Sequence, residues 1–488
     1  MTLGEILKDV RIIESNVNCD LEVQGIENDS RRVQKDTLFV AIKGFSRNGN
    51  EYVNEAYKRG AVAIITDDRY VFQRKMPYIL VDSSREALAT IWSNYYGNPE
   101  KDIKTVAITG TNGKTTSAYF LYNILRTAGI SCALISTVEC LINGEKQESP
   151  CGSVSDVAST MTTPEPKALS ALYKKMKENG VKVAVIEASS HALMQHRLDK
   201  LNIEIGAFTN LSREHLDYHG SMEEYFKAKE ALFKMCRCCV VNLDDEYGKI
   251  LYERYREKAV GYSFERKAEF FAKNLSATES GCEYLLFDGK SEIKIETIIL
   301  GKYNACNSLL SATCAKMLGI DGSIISRGIK STQEVKGRME RYGNKQIYID
   351  YAHTPAAMEK VISEFKAIKG SKRLIVLFGC GGNRDKGKRA EMGRICSSLA
   401  DLTVVTSDNP RDEDPYEILN DILKGIEKEK EFMLIPKRDV AITVVAGSMN
   451  ENDILLLLGK GHENYEINKK GKCEFDEREV LDRVFAGD

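Results

Sequence analysis

The 488-residue sequence lacks the features that mark membrane proteins and nucleic-acid-binding proteins. None of its apolar runs approaches the ~20 residues that a membrane-spanning helix needs. The N-terminal segment has acidic residues but no apolar signal-peptide core. The charges nearly cancel, with 69 Lys and Arg residues against 71 Asp and Glu residues, so no overall field favours nucleic acid or an acidic membrane. We therefore expect a cytoplasmic protein that binds neither membranes nor nucleic acid.

The sequence also lacks a disulfide or zinc pattern, an internal repeat and a low-complexity linker. Its 13 cysteines are scattered and odd in number, and the group Cys236, Cys238 and Cys239 has no second Cys or His pair at zinc spacing. We interpret the cysteines as buried free thiols in a reducing compartment. The composition, 43% hydrophobic and 29% charged, is that of a globular protein, and the length predicts about three domains.

From residue 101 onward, apolar β-branched runs alternate with longer helical stretches. This alternation is typical of a doubly wound α/β fold. The predicted strands cover residues 105–108, 181–186, 205–208, 240–241, 347–349, 373–378, 402–405 and 454–458. We place domain boundaries near residues 100 and 335. They delimit a small mixed α/β domain (1–100), a central ATPase-like domain with a hairpin-rich part at 265–300 (101–335), and a Rossmann-like domain (336–488).

The most informative segment is a Gly- and Thr-rich turn between a predicted strand and a predicted helix, Ile108-Thr-Gly-Thr-Asn-Gly-Lys-Thr-Thr116. Glycines let backbone N–H groups close around phosphate, and the following helix N-terminus adds partial positive charge. Lys114 can meet the β- and γ-phosphates, and Thr115 can reach Mg²⁺. Ile108 stands where the common P-loop has its first glycine, so an ordinary Gly-rich turn is the alternative. We predict an ATP site formed by Gly110, Thr111, Asn112, Gly113, Lys114, Thr115 and Thr116.

Carboxylates and imidazoles follow two later strands. Glu187 ends one strand, and His215 lies in a segment after the next one; four of the six histidines fall between residues 191 and 219. Mg²⁺ prefers oxygen ligands, so Glu187 with Thr115 is the conventional pair. Taken singly, each histidine could equally be an ordinary core or surface residue.

These segments resemble the central domain of the Mur ligases, which build peptidoglycan peptides. The matching motifs, in order and spacing, are Thr109–Thr116, Glu187-Ala-Ser-Ser-His191 with Arg197, Thr209–His219 and Met222–Lys229. The resemblance implies that Glu187 and His215 hold Mg²⁺ and that Lys229 carries a carbamate. A carbamate would supply a negative oxygen ligand where a plain ammonium would repel the cation. Without the resemblance, Lys229 would be interpreted as a solvated helix lysine.

Further segments match the family at both ends of the chain. Asn307, Arg338 and Asp350 would contact the nucleotide, with Lys114, Lys229, His215 and Arg338 forming the catalytic set. Taken singly, Asn307 could lie on a helix surface and Asp350 could cap a helix. The resemblance also implies that a UDP-sugar peptide binds to Ser30, Thr162, Thr163, Ser189 and Arg197.

The C-terminal third contains the motif that distinguishes members of the family. Asp408-Asn409-Pro410-Arg411 is similar to the element of diaminopimelate-adding members, whereas lysine-adding members vary at the arginine. A planar guanidinium can grip the extra carboxylate of diaminopimelate with two hydrogen bonds. The implied amino-acid site consists of Arg384, Asp408, Asn409, Pro410, Arg411, Gly459 and Glu463.

The resemblance implies an ATP-dependent ligase that acts through an acyl phosphate. Its substrates would be ATP, UDP-N-acetylmuramoyl-L-alanyl-D-glutamate and meso-diaminopimelate, its cofactor Mg²⁺, and its expected state a monomer. His353 or a site carboxylate could accept the amine proton. The alternatives are a lysine-adding Mur ligase, a folylpolyglutamate synthase, and a nucleotide switch that makes no amide bond.

Overall fold

A computed structural model describes residues 1–44, 47–69, 76–147, 161–278 and 280–486. The chain divides into two compact units. The first comprises Met1–Thr109, Ile130–Gly206 and Lys227–Cys238, and the second comprises Gly110–Gly129, Ala207–Phe226 and Cys239–Asp488. None of the helices within the described ranges is long and apolar enough to cross a membrane.

Strands and helices alternate along most of the described chain. The strands are β1 (Ile12–Ser15), β2 (Gly25–Glu27), β3 (Thr37–Val40), β4 (Ala61–Thr66), β5 (Tyr78–Val81), β6 (Lys104–Thr109), β7 (Cys132–Ile135), β8 (Cys140–Ile142), β9 (Glu145–Lys146), β10 (Val183–Glu187), β11 (Ile203–Phe208), β12 (Cys238–Asn242), β13 (Ala259–Ser263), β14 (Phe270–Thr278), β15 (Gly281–Phe287), β16 (Glu292–Thr297), β17 (Glu340–Arg341), β18 (Ile347–Asp350), β19 (Arg373–Phe378), β20 (Leu402–Val405), β21 (Phe432–Leu434), β22 (Asp453–Leu458), β23 (Tyr465–Asn468) and β24 (Gly471–Glu474). The α-helices are α1 (Leu3–Ile6), α2 (Val53–Lys58), α3 (Ser84–Tyr95), α4 (Lys114–Thr127), α5 (Pro166–Glu178), α6 (Ser190–Met194), α7 (Leu216–His219), α8 (Met222–Met235), α9 (Glu246–Arg254), α10 (Lys302–Met317), α11 (Gly322–Lys330), α12 (Pro355–Ile368), α13 (Gly387–Leu399), α14 (Pro415–Leu423), α15 (Arg438–Gly447) and α16 (Glu477–Val484).

The strands of the first unit belong to two different sheets. The N-terminal sheet has the order β1-β5-β4-β3-β2, in which only β1 is antiparallel to its neighbour. Its core packs α3 against the sheet through residues such as Ile65, Ile91 and Trp92. In the second group, β10 pairs in parallel with β6 and with β7. Glu187 lies opposite Ile108, so the carboxyl ends of β10 and β6 meet just before the Gly-rich turn.

The second unit contains a hairpin-rich sheet portion and a doubly wound C-terminal sheet. β14, β15 and β16 form an antiparallel meander, which confirms the hairpins predicted for 265–300. The C-terminal sheet has the order β17-β18-β22-β19-β20-β21 and is parallel except for β17. Strand order therefore reverses between β19 and β22, and ligands of such sheets bind beyond the carboxyl ends of the strands.

The structure confirms the predicted α/β class and the predicted strands, with small changes at their ends. Arg373–Phe378 and Leu402–Val405 have the predicted bounds, whereas the strand predicted at 240–241 extends over Cys238–Asn242. The helix predicted from residue 117 begins at Lys114, because the glycine before it is left-handed and ends the turn. The described cysteines are free and mostly buried, as predicted, and Cys151 lies outside the described residues. The boundaries near residues 100 and 335 stay predictions.

Candidate active site

The turn between β6 and α4 has a backbone that only glycine fits at two positions. Gly110 and Gly113 have φ values of 143° and 87°, which disfavour any other residue. A Cβ at Gly110 would lie 1.8 Å from Thr209 Oγ1, and one at Gly113 would lie 2.2 Å from Asn307 Oδ1. The turn therefore packs closely against the segments that carry Thr209 and Asn307, and α4 begins directly after it. This is the geometry with which a helix N-terminus binds phosphate.

The lysine of this turn lies across the turn's own carbonyl groups. Lys114 Nζ donates to Gly110 O at 2.9 Å and to Thr111 O at 2.8 Å. The turn is fixed from outside as well, because Thr209 Oγ1 donates to Asn112 O at 2.7 Å. The ammonium therefore sits at the mouth of a rigid loop, where a phosphate would meet it.

Arg338 contacts the side chain that follows this lysine. Its Nη2 donates to Thr115 Oγ1 at 3.2 Å, and its guanidinium lies 4.7 Å from the centre of the Tyr351 ring. Arg338 Nε is buried, and among the described residues it has no hydrogen-bond partner. At the start of α4, both Thr115 and Thr116 are buried. The structure thus brings Arg338 to the predicted ATP turn from more than two hundred positions along the chain.

Asp350 and Asn307 support this cluster from behind. Asp350 accepts hydrogen bonds from Met339 N and Ala352 N, both at 2.8 Å, and so holds the turn that presents Arg338. Burial raises the pKa of Asp350, against the opposing charge of Arg338. The helix-cap alternative for Asp350 is wrong, because Thr354 caps the next helix. Asn307 is buried rather than on a helix surface, and its Nδ2 donates to Asn304 Oδ1 at 3.0 Å.

The predicted magnesium ligands offer suitable donor atoms. Glu187 is fully buried, and its carboxylate accepts from Thr137 N at 2.8 Å and from Thr137 Oγ1 at 3.1 Å. Across the described ranges, no group of three or more His, Cys, Asp or Glu side chains could hold a metal by itself. Carboxylate and hydroxyl oxygens are donor types that Mg²⁺ accepts, so Glu187 in the first unit and Thr115 in the second each have the chemistry of a magnesium ligand.

Lys229 is buried in the first unit. Its side chain is 2% exposed on α8, whereas Lys227 on the same helix is exposed. The interpretation of Lys229 as a solvated surface lysine is therefore wrong. Whether it carries a carbamate stays a prediction.

The segment that carries His215 contains an ion pair that sequence reasoning missed. His215 lies in the second unit with a φ of 54°, and its neighbour Glu214 contacts His353 Nε2 at 3.1 Å. His353 Nδ1 is 2.8 Å from Tyr351 O. Burial would raise the pKa of Glu214, but the hydrogen bond and charge of His353, with the charges of His215 and Lys114, hold it far below its usual range. No sequence pattern marks a Glu–His pair whose members are 139 positions apart.

The predicted UDP-sugar residues lie in the first unit, and four of them form one connected group. Thr163 Oγ1 donates to Glu187 O at 2.8 Å and lies 3.2 Å from Ser189 Oγ. Arg197 Nη1 donates to Thr163 O at 2.6 Å. Thr162 joins the group through Thr137, whose hydroxyl donates to Thr162 Oγ1 at 3.2 Å.

The fifth of these residues, Ser30, is separate from that group. It is buried in a short 3-10 turn of the N-terminal sheet, where its hydroxyl donates to Glu55 Oε2 at 3.2 Å. Its predicted contact with a UDP group therefore rests on the resemblance and stays a prediction.

The predicted amino-acid site gathers charged residues of both signs beyond the carboxyl ends of β20 and β22. The charges of Arg384, Asp408 and Glu463 all act on Arg411, whose pKa is lowered by burial and by Arg384. A Cβ at Gly381 would lie 2.8 Å from Arg411 Nη1 and 3.8 Å from Arg384 Cγ, so both arginine side chains approach this glycine. Two guanidinium groups and two carboxylates thus share one small region.

The loops that carry these charges are tied to each other. Asn409 Nδ2 donates to Glu463 Oε2 at 2.8 Å, and Lys460 Nζ donates to Asn409 Oδ1 at 3.1 Å. Burial and the charge of Asp408 raise the pKa of Glu463. Gly459 has a φ of 111°, and a Cβ there would lie 2.8 Å from Asp408 Oδ2. Lys460 was not predicted, although it lies within the Gly459–Glu463 motif and its side chain is fully buried.

Pro410 and Arg411 complete this loop through backbone contacts. Arg411 has a φ of 53°, and its Nη1 donates to Gly382 O at 2.9 Å. A Cβ at Gly382 would lie 1.9 Å from Pro410 O, so the glycine-rich segment 379–382 packs directly on the Asp408–Arg411 loop. Arg384 is exposed at the end of that segment.

Comparisons with known proteins agree with the resemblance found in the sequence. The chain matches the Mur ligase family catalytic domain over residues 22–96, the Mur ligase middle domain over 108–315, and the Mur ligase glutamate ligase domain over 337–461. Each match lies inside one of the three segments expected from the sequence.

Relatives match the chain over its whole length. The UDP-N-acetylmuramoyl-L-alanyl-D-glutamate–2,6-diaminopimelate ligases of Clostridium perfringens (strain 13 / Type A) and Clostridium tetani (strain Massachusetts / E88) are 38% and 36% identical to it. The alignments cover 100% of both chains for the first and 99% of both for the second. A solved structure of a ligase with the same name has a TM-score of 0.70 at 27% identity, over 100% of this chain and 99% of the other. This chain belongs to the Mur ligase family.

Proposed function

We propose that this chain is an ATP-dependent ligase that joins meso-diaminopimelate to UDP-N-acetylmuramoyl-L-alanyl-D-glutamate in peptidoglycan synthesis. The observation that carries the choice of amino acid is the grouping of Arg384 and Arg411, which approach Gly381, with Asp408 and Glu463 on the neighbouring loops. The distal end of diaminopimelate carries one ammonium and one carboxylate. A site with paired guanidinium groups beside paired carboxylates complements both charges of that end.

Phosphoryl transfer from ATP requires the protein to stabilise charge rather than to form a covalent bond with the phosphoryl group. The γ-phosphoryl group passes to an oxygen of the D-glutamyl γ-carboxylate, and the bond to ADP breaks. Lys114 at the mouth of the turn and Arg338, held over Tyr351 beside Thr115, would offset charge on that phosphoryl group. Among the described residues the buried Arg338 Nε has no hydrogen-bond partner, and bonding to a phosphate oxygen would require the guanidinium to move.

Magnesium would be held by Glu187, Thr115 and His215, with Lys229 as a carbamate. The ion would supply positive charge at the phosphates. Lys229 is enclosed, and forming a carbamate exchanges a buried cation for an anion that can serve as an oxygen ligand. The carbamate rests on the family resemblance together with this burial.

The amide step then needs an oriented amine. The amine of diaminopimelate attacks the acyl carbon, the C–O bond to phosphate breaks, and the amine loses a proton. Arg411 and its neighbours hold the distal end of the molecule and so orient the reacting amine, which lowers the entropic cost of the attack. A site carboxylate would receive the proton, because both ring nitrogens of His353 already face acceptors, Tyr351 O at 2.8 Å and Glu214 Oε1 at 3.1 Å.

The UDP-linked substrate would be held by the first unit. Thr162, Thr163, Ser189 and Arg197 form the connected group next to Glu187, and Ser30 lies in the N-terminal sheet. Arg197 is 5% exposed, donates to the backbone of Thr163 and pairs with Glu165, so it orders this segment, and its contact with the substrate rests on the family resemblance. The expected cytoplasmic location and monomeric state remain predictions.

The lysine-adding ligase is the main competing function. It would use the same ATP turn and the same acyl phosphate, but lysine lacks the distal carboxylate and would leave the half-buried Arg411 without a substrate carboxylate. Leaving a buried charged group unpaired disfavours the wrong substrate strongly. Folylpolyglutamate synthase and a nucleotide switch would not need the Asp408–Arg411 loop.

A matrix assay of phosphate release separates the diaminopimelate-adding ligase from the lysine-adding ligase and from the nucleotide switch. Purified protein with ATP and Mg²⁺ is given each UDP-muramyl peptide with each of meso-diaminopimelate, L-lysine and L-glutamate. We expect phosphate release only with UDP-N-acetylmuramoyl-L-alanyl-D-glutamate together with meso-diaminopimelate. Phosphate release with L-lysine at the same kcat/KM as with meso-diaminopimelate would contradict the assigned amino acid. Phosphate release that needs neither the UDP-muramyl peptide nor the amino acid would favour the nucleotide switch.

A further inference from the structure

The first turn of α16 carries charged residues that contact distant segments of the second unit. Asp476 caps the helix and accepts from Arg478 N at 3.0 Å. Asp476 also pairs with Lys336 at 3.3 Å. Neither Glu477 nor Arg478 belongs to a motif discussed above, yet each bonds to a segment that adjoins the candidate active site.

Glu477 acts on the amino-acid loops through a buried arginine. Both Glu477 and Arg438 are fully buried, and Glu477 Oε1 lies 2.9 Å from Arg438 Nε and 2.7 Å from Nη2. The remaining hydrogen bonds of Arg438 go to Ser407 O at 3.3 Å and Leu458 O at 2.8 Å. These two carbonyls immediately precede the Asp408–Arg411 loop and the Gly459–Glu463 loop. One guanidinium therefore holds the starting points of both loops.

A stability role alone explains this pair poorly. Removing two charges from water is costly, and replacing a buried ion pair with apolar residues of similar volume is often neutral or stabilising. What apolar residues could not replace is the pair of donors to Ser407 O and Leu458 O. The geometry of the two loops is thus the property that the pair specifically supplies.

Arg478 connects the loop of Glu463 to the turn of Arg338. Its Nε donates to Glu340 Oε1 at 2.8 Å, and its Nη2 donates to Gly461 O at 3.1 Å. Glu340 Oε2 in turn accepts from Gly337 N at 2.6 Å. The backbones touch here, because a Cβ at Gly337 would lie 2.1 Å from the backbone nitrogen of residue 462.

We propose that Glu477 and Arg478 are positioning residues for the ligase reaction. Glu477, through Arg438, sets the two loops that grip the amino acid. Arg478, through Glu340, sets the turn of Arg338 against one of those loops. This inference rests on the proposed function, because it assigns the loops to the amino acid and Arg338 to the phosphoryl group. The start of one helix would then align the attacking amine with the group that stabilises the acyl phosphate.

The first test replaces the buried pair without leaving a lone charge. In the double variant Arg438→Met/Glu477→Leu, the volume is nearly kept and both donors to the loops are lost. We expect a folded protein whose KM for meso-diaminopimelate rises at least about tenfold, the size seen when a supporting contact behind a site is removed. Its KM for ATP should stay at the wild-type value. A folded double variant with the wild-type KM for the amino acid would overturn the role of Glu477.

A matched control lies at the opposite end of the same strand. Asp453 is a buried carboxylate at the amino end of β22, where it accepts from Asn450 N at 2.9 Å. Asp453→Asn should lower the melting temperature without changing the KM for the amino acid. If it raised that KM as much as the double variant does, general destabilisation would explain both results.

The second test addresses Arg478, which is partly exposed and tolerates substitution better. Arg478→Gln removes the links to Glu340 and Gly461, so kcat should fall because Arg338 loses its alignment. Arg478→Lys keeps the positive charge but loses the planar guanidinium with its several donors, so its kcat should lie between those of Arg478→Gln and the wild type. Wild-type kcat in a folded Arg478→Gln variant would overturn this half of the inference.

Hydrogen exchange separates this inference from the proposed function. Backbone amides of residues 407–409, 411 and 458–463 should exchange faster in the double variant than in the wild type, and not faster in Asp453→Asn. This readout needs no substrate. If the wild type rejects diaminopimelate but the two loops still exchange faster in the double variant, the proposed function fails and the positioning role of Glu477 and Arg438 stands. Unchanged exchange in both loops contradicts that positioning role, whatever the substrate proves to be.

Discussion

Substitution of Arg411 tests the choice of amino acid. The guanidinium is half-buried, and Nη1 is engaged by Gly382 O at 2.9 Å and Asn409 O at 3.3 Å. In the part of the chain that the structure describes, the other two side-chain nitrogens have no hydrogen-bond partner, so they are available for a carboxylate. A hydrogen bond between charged groups contributes about 1.5–3 kcal/mol. Arg411→Ala should therefore lower kcat/KM for meso-diaminopimelate by roughly tenfold to somewhat over a hundredfold.

The assay compares variants and substrates in one phosphate-release format. Arg411→Lys keeps the charge without the planar fork and should fall between wild type and alanine. Arg373→Ala is the matched control, because Arg373 is an exposed arginine at the amino end of β19, remote from the loops. The KM for ATP should not change in any variant. Wild-type kcat/KM in a folded Arg411→Ala variant, or an equal loss in Arg373→Ala, would refute the reasoning.

Three further predictions concern other parts of the molecule. Lys114→Ala should abolish phosphate release while circular dichroism and melting stay near wild type, because Lys114, the first residue of α4, is only half-buried and lies outside the core; near-normal turnover would contradict the ATP assignment. The Lys229→Ala variant should have low ligase activity, which small carboxylates that replace the carbamate should partly restore. Full activity of the wild type in CO₂-free buffer would count against the carbamate. The hydrogen bonds of Arg389 to Glu413 hold the pKa of that carboxyl at about 2, below its usual 4.5, so their stabilisation is complete above pH 4.5 and lost as pH falls toward 2. The difference in unfolding free energy between wild type and Glu413→Gln should shrink over that interval, and a constant difference would contradict the assignment.

The parts of the fold that the sequence predicted well are those in which a local pattern has one solution. After its first residue, the strand Arg373–Phe378 is a continuous apolar run, which a buried parallel strand needs, and its predicted bounds match those of the structure. The Gly110–Thr116 turn was recognisable for the same reason, since positive φ at two positions demands glycine.

The parts that could not be predicted depend on contacts between distant positions. The burial of Lys229 beside exposed Lys227 follows from how α8 packs, and two lysines two positions apart give no sign of which is inside. The pairing of Glu214 with His353 joins residues 139 positions apart, and its members are ordinary in sequence. Motif resemblance could name Asp350 as a site residue but not its bonds to the backbone of the Arg338 turn.

The most direct measurement is a competition in one tube. Wild-type protein, ATP, Mg²⁺ and UDP-N-acetylmuramoyl-L-alanyl-D-glutamate are mixed with equal amounts of meso-diaminopimelate and L-lysine, and the products are identified by mass spectrometry. We predict a product that contains diaminopimelate almost exclusively, with one phosphate released for each amide formed. A lysine-containing product in equal amount, or phosphate release without any amide, would contradict the account.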